Sequence, residues 1–268
     1  MKLVLLGDPV AHSLSPAMHV AALRACGIAG TYTARRVDEA GLRGAVDEIR
    51  YGSLTGANVT MPHKQAAFAA ADDAAADALA TGAVNTLVGG SGVAVGANTD
   101  IAGVRYAWSL AGLPEDAPVL VLGAGGAAAA ALVALAGRPI AVAARRSGAA
   151  AERIALVRSA ARILPWGTPV RGAVVVNATT LGMAGEDLPS GVLDEAAGLL
   201  EMPYAAGTTP AERRGAQLGI PVASGTAMLL GQAMASFTLW TGQPAPESAM
   251  RSALREAQGP QNPGRNSL

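Results

Sequence analysis

Short apolar runs alternate along the chain with longer Ala- and Leu-rich stretches at helical spacing. That alternation predicts an α/β protein with parallel sheets, because buried strands read as continuous apolar runs and the crossovers between them as helices. Residues 3–6 (LVLL) predict a first buried strand. Ser15 followed by Pro16 predicts a helix start, a capping hydroxyl before proline at the first helical position, with the helix over 16–26. A strand at 31–37, a helix at 39–50, a strand at 54–59 and helical material to 80 follow. Residues 85–88 and 93–97 predict a hairpin across Gly89, Gly90, Ser91 and Gly92, then a helix over 100–111.

The stretch 113–118 (LPEDAP) breaks the pattern and predicts a linker. Beyond it come a strand at 119–122, a helix at 126–136, strands at 140–144 and 174–177, and a long helix at 226–241. The end, 259–268, is rich in Gly, Pro, Asn and Ser and predicts a flexible tail. Residues 117–137 carry no charge and are long enough to cross a bilayer, but Gly123, Gly125 and Gly126 divide them into strand, turn and helix. Residues 223–242 hold Ser224, Gln232 and Ser236 and predict a buried helix. The first apolar run is too short for a signal peptide.

Composition narrows the function. Lys+Arg and Asp+Glu are both 20, so the formal net charge is +0 and there is no basic footprint for nucleic acid. A hydrophobic content of 51% in 268 residues supports a sizeable core. The single cysteine, Cys26, excludes an internal disulfide framework and any multi-cysteine metal site, and fits a cytoplasmic protein. The expected partner is a small molecule, with neither nucleic acid nor membrane, and the chain a monomer or homodimer.

Candidate chemistry gathers at predicted strand ends. Gly123, Ala124, Gly125, Gly126, Ala127 and Ala128 lie between a strand and a helix, where glycines let a backbone approach a pyrophosphate at the helix N-terminus. A site for the ribose 2′-OH usually carries Asp or Glu about 20 residues on. Here Arg145 and Arg146 arrive instead, which favours a 2′-phosphate and hence NADP over NAD. In the first half, polar groups end four segments: HSLSP from His12, NVTMPHK from Asn58, Asn85-Thr86, and Asn98-Thr99-Asp100. Their donors and acceptors suit a hydroxylated small molecule. Lys64 near Asp100 can work as a general acid/base, although a surface ion pair or helix caps would read the same. His12, His19 and His63 follow no metal-ligand spacing, and His63 is expected to be solvated or to support the site from behind.

The order of these motifs resembles the shikimate dehydrogenase family. GDPVAHSLSPAMH from Gly7, NVTMPHK from Asn58, GAVNTL from Gly82, GANTDIAG from Gly96, GAGGAAAA from Gly123, NATTLGM from Asn177 and GTAMLLGQA from Gly225 span nearly the whole chain. The resemblance implies an NADP-linked oxidoreductase acting on a CH–OH group, interconverting 3-dehydroshikimate and shikimate in aromatic amino-acid biosynthesis. It implies an N-terminal α/β substrate domain (1–101, completed by 226–258), a Rossmann-like NADP-binding domain (102–225), and last helices that return to the first domain. By motif, Ser13 and Ser15 hold the substrate carboxylate. Thr60, Lys64, Asn85, Asp100 and Gln232 bind the ring hydroxyls, with Asn58 in support and Lys64 and Asp100 as the catalytic pair. Gly123 to Ala127 bind the pyrophosphate, and Arg145 and Arg146 face the 2′-phosphate. Met202, Tyr204 and Gly225 line the nicotinamide end, Tyr204 also near the substrate. Val20, Ala144, Arg146, Glu201 and Ser224 depart from the family pattern. The alternatives are a quinate/shikimate dehydrogenase of broader specificity and a non-catalytic metabolite sensor.

Overall fold

The first apolar run becomes the centre of a sheet. In the computed structural model, which describes residues 1–205 and 207–259, β1 (Lys2–Gly7) lies between β2 (Thr31–Arg36) and β3 (Gly56–Val59), parallel to both. Beyond β3 come β5 (Thr86–Gly90), β6 (Val93–Ala97) and β4 (Asp73–Ala74), in the order β2-β1-β3-β5-β6-β4. Alternation along β1 sorts its side chains between the faces. Val4 and Leu6 pack with Leu42, Val46 and Ile49 of α2 (Glu39–Arg50) and with α3 (Lys64–Ala70) and α4 (Ala76–Thr81) through Ala67 and Ala78. Leu3 and Leu5 pack on the other face with Tyr32 and Trp240.

The second sheet is all parallel, in the order β12-β11-β10-β7-β8-β9. Its strands are β7 (Val119–Leu122), β8 (Ile140–Ala143), β9 (Arg162–Leu164), β10 (Val174–Asn177), β11 (Gly198–Glu201) and β12 (Val222–Ala223). Read in chain order this is the doubly wound arrangement 3-2-1-4-5-6 reversed end for end, which opens a crevice at the carboxyl ends of β7 and β10. α6 (Gly126–Ala134) and α5 (Asp100–Leu110) cover one face through Ala128, Ala131, Leu132, Val104 and Trp108. α8 (Pro210–Leu218) covers the other through Ala211, and α7 (Ser147–Leu156) joins β8 to β9.

The C-terminal helices return to the first sheet as expected. α9 (Gly225–Thr241) packs along α5, and with α10 (Glu247–Ala257) it packs on α1 (Ser15–Ala25). Trp240 Nε1 donates to the Leu87 carbonyl at 3.0 Å, pinning α9 to β5.

Four expectations need correction. The first sheet is mixed, since β5 runs antiparallel to β3 and β6. The helical stretch to 80 is interrupted by β4, because Arg50 and the Ala94 N–H capture Asp72 and draw Asp73 and Ala74 alongside β6. The hairpin pairs as far as Gly90 and Val93, so its turn is Ser91-Gly92, both at positive φ. Ser15 is already inside α1, and it is the Ser13 hydroxyl that accepts its N–H at 3.3 Å. The tail expected at 259–268 lies, beyond Gly259, outside the described residues. Among the described residues no helix is long and apolar enough to cross a membrane, and the uncharged run 117–137 is β7, turn and α6.

Candidate active site

Lys64 opens α3 and Asp100 opens α5, and the two helix starts face each other. Lys64 Nζ stands 2.5 Å from Asp100 Oδ2, with the lysine side chain 23% exposed and the carboxylate 3%. A carboxylate in the first helical turn meets the positive end of the helix dipole. The ammonium has three donors and spends one on Asp100.

A buried amide network fixes this carboxylate. Asn85, just before β5, donates to Asp100 Oδ1 at 2.9 Å and to Gln232 Oε1 at 3.1 Å. Its own oxygen accepts from the Thr99 N–H at 2.8 Å, which sets the amide's orientation. Asn98 accepts from the Asp100 N–H and donates to Thr81 and the Ala83 carbonyl. Asn58 in β3 donates to the Asn85 carbonyl, Thr86 and Ser236, and accepts from the Tyr32 hydroxyl at 2.7 Å. Thr86, Thr99 and Ser236 close a ring of hydroxyls between the strands and α9. Thr60, half-buried just beyond β3, holds the Leu6 carbonyl through its backbone N–H at 2.8 Å.

A second set of hydroxyls adjoins the first. Ser15 meets the Tyr32 hydroxyl, and Ser13 meets that of Tyr204, which follows β11 of the other sheet. Burial pushes both phenols up, so both are neutral donors at ordinary pH. The Ser13–Tyr204 contact ties the two halves together. Tyr32 also stacks on His19 at 4.4 Å, a fully buried ring with neither nitrogen bonded, whose pKa burial lowers to about 3.

The glycine turn follows β7, at the carboxyl end of the second sheet. Gly123 adopts φ +109, and a Cβ there would stand 2.8 Å from the Ala178 carbonyl oxygen, so only glycine fits. At Gly125 and Gly126 a Cβ would meet nothing within 4 Å. α6 starts there with no side-chain cap and no acidic residue in its first turn. Open space above uncapped helix N–H groups suits the phosphates of a dinucleotide. The Gly123 N–H bonds the Ala143 carbonyl, so the end of β8 adjoins the turn, and Arg145 and Arg146 follow it exposed and, among the described residues, without an ion pair. These residues fit a dinucleotide bearing an extra phosphate.

The same elements recur in known proteins. Residues 5–87 match the family model for the shikimate dehydrogenase substrate binding domain, and residues 225–255 the shikimate 5′-dehydrogenase C-terminal domain. The chain is 37% identical to shikimate dehydrogenase (NADP(+)) of Thermus thermophilus, covering 97% of this chain and 99% of that one. The chain belongs to the shikimate dehydrogenase family. The enzyme of that name from an Anaeromyxobacter species is 40% identical, over 93% of this chain and 94% of its own. The crystal structure of shikimate 5-dehydrogenase from Thermus thermophilus in complex with NADP(H) and shikimate superposes with a TM-score of 0.89 at 36% identity, covering 96% and 99% of the two chains. Mycobacterium tuberculosis shikimate dehydrogenase superposes at 0.82 with 37% identity, over 95% and 99%.

Within this member of the shikimate dehydrogenase family, Lys64, Asp100, Asn85, Gln232 and Asn58 form one bonded network, and Ser13, Ser15 and Tyr204 form its neighbour. Gly225 starts α9 so close to the preceding loop that a Cβ would sit 2.1 Å from the Pro203 carbonyl and 3.1 Å from that of Met202. That brings Met202 and Gly225 together beside the loop that carries Tyr204. Arg145 and Arg146 lie outside this network, exposed at the end of β8. His63 is buried, bonded to the Val37 carbonyl at 2.8 Å, and not solvated. Sequence reasoning missed Tyr32 and Ser236. Ser236 had a signal: it lies four residues after Gln232, on the same face of an otherwise apolar helix.

Proposed function

We propose that this protein is an NADP-dependent shikimate dehydrogenase, reducing 3-dehydroshikimate to shikimate reversibly. The observation that supports the reading is the Lys64–Asp100 pair, 2.5 Å apart and joined through Asn85 to Gln232. Bound nicotinamide supplies the hydride chemistry. The chain's own residues supply position and proton. Ser13 and Ser15 donate to the substrate carboxylate, with Tyr204 beside them. Thr60, Asn85 and Gln232 exchange bonds with ring hydroxyls, and Asn58 supports them. Lys64 donates a proton to the oxygen that becomes the alcohol, and in reverse accepts it from that alcohol. Asp100, held by Asn85, orients the ammonium. Gly123, Ala124, Gly125, Gly126 and Ala127 hold the pyrophosphate, Arg145 and Arg146 the 2′-phosphate, and Met202 and Gly225 flank the nicotinamide. The substrate-binding unit comprises 1–101 and 226–258 and the cofactor unit 102–225, with α5 spanning the join. The free Cys26 thiol suits a cytoplasmic setting.

Initial rates with shikimate, followed by reduced-nucleotide absorbance with NADP+ and NAD+ in parallel and with quinate as second substrate, test this. The expected result is turnover of shikimate with strong preference for NADP+. Equal use of quinate and NAD+ would contradict the specificity, and tight shikimate binding with no turnover would contradict the activity.

A further inference from the structure

Arg153 on α7 belongs to none of the groups above, yet its surroundings are unusual for a cation. Its Nε donates to the Ala124 carbonyl, inside the glycine turn, at 3.0 Å. One terminal guanidinium nitrogen is buried with no partner. Among the described residues no carboxylate forms an ion pair with it, and burial pulls its pKa below the usual arginine range, with the Glu152 charge opposing. Sealing one nitrogen of a half-buried guanidinium without a partner costs stability.

The peptide it touches explains what the cost secures. A trans peptide unit is planar, so the Ala124 carbonyl and the Gly125 N–H point in opposite directions. Holding the carbonyl against α7 directs the Gly125 N–H away from α7. Among the described residues no other hydrogen bond holds this peptide, a Cβ on Gly125 would meet no atom within 4 Å, and glycine tolerates the dihedral change that a flip requires. A flipped peptide would present a carbonyl oxygen where the turn needs a donor.

We propose that Arg153 is a positioning residue for the phosphate-binding turn, locking the Ala124–Gly125 peptide so that the Gly125 N–H stays available to a dinucleotide pyrophosphate. The inference rests on the nucleotide reading above and adds to it a residue that touches the turn's carbonyl rather than the ligand. It also ties the helix that follows Arg145 and Arg146 to the turn that follows β7.

Calorimetric titration of NADP+ and of 2′-AMP into wild type, Arg153→Met and Arg153→Lys tests it. 2′-AMP carries the 2′-phosphate without the pyrophosphate. Arg153→Met is expected to weaken NADP+ about tenfold, the worth of one charge-assisted hydrogen bond, and to leave 2′-AMP within about twofold on the same scale. Arg153→Lys, which keeps a charged donor, is expected to recover most of the NADP+ affinity. Equal loss of both ligands would overturn the proposal in favour of direct contact with the 2′-phosphate. Unchanged NADP+ affinity in Arg153→Met, or a Lys variant as weak as the Met variant, would also overturn it. Wild type binding neither ligand would instead refute the cofactor reading itself. If Arg153→Met does not fold, the Lys variant decides: near-normal binding of both ligands supports the lock, and weakened NADP+ overturns it.

Discussion

Glu201 is sealed at the end of β11 beside Asn177 of β10, fully buried and, among the described residues, in no ion pair. Burial pushes its carboxyl up to about 7; the nearby Glu212 charge adds to that, while hydrogen bonds from Asn177 and Thr209 oppose it. The native state therefore keeps a proton that an unfolded chain, near 4.5, has lost. Stability from this group is complete below pH 4.5 and is lost as pH rises through about 7. At about 1.4 kcal/mol per unit the loss amounts to about 3 kcal/mol. Glu201→Gln cannot titrate, so urea unfolding should show the variant gaining on wild type by that order between pH 5 and 8; parallel pH profiles would refute the buried-acid account. His19, with its pKa about 3, acts in the opposite sense, losing stability as pH falls from 6.5, and is common to both proteins. At this scale Lys64 and Asp100 were legible because polar residues at strand ends have few structural duties. Tyr32 was not, because an aromatic residue in TYTARR is what any strand favours, and only tertiary packing brings its hydroxyl to Asn58. Arg153 reads as an ordinary helical arginine until α7 is packed against the turn.

Elements are fixed here as much by where backbones must touch as by propensity. A Cβ on Gly56 would stand 2.4 Å from Trp240 Nε1 and 2.6 Å from the Leu87 carbonyl oxygen, the bond that seats α9 on the first sheet. Gly44, inside α2, faces nothing within 4 Å. Gly56→Ala should cost about 1–3 kcal/mol through forced displacement, and Gly44→Ala should stabilise by about 0.5–1 kcal/mol through helix propensity. Chemical denaturation midpoints measure both, and a harmless Gly56→Ala would contradict the close seating of α9. The same principle explains which elements the sequence pattern revealed. α2, β7 and β10 match their predicted ranges because a strong apolar period or an unbroken Val/Leu run leaves no alternative. β4 is two residues set by Asp72 meeting Arg50 and β6, and β12 is two residues at an edge, so neither carries a local signal.

At the scale of the whole molecule, the site exists only because both sheets meet. Tyr204 reaches Ser13 from beyond β11, α9 carries Gln232 and Ser236 back to strands of the first sheet, and α5 runs from Asp100 into the core of the second. The order of motifs conveyed this convergence, whereas composition, balanced at 20 and 20 charges, argued only against a basic footprint. The central claim is that Lys64 moves the proton within this crevice while the glycine turn holds the nucleotide independently. Lys64→Ala, with kcat for shikimate oxidation and calorimetric NADP+ binding measured on the same preparation, tests it most directly. The account predicts a kcat lower by about 10²- to 10⁴-fold, the usual worth of general acid–base catalysis, with NADP+ affinity unchanged. Near-normal turnover in the folded variant would contradict it.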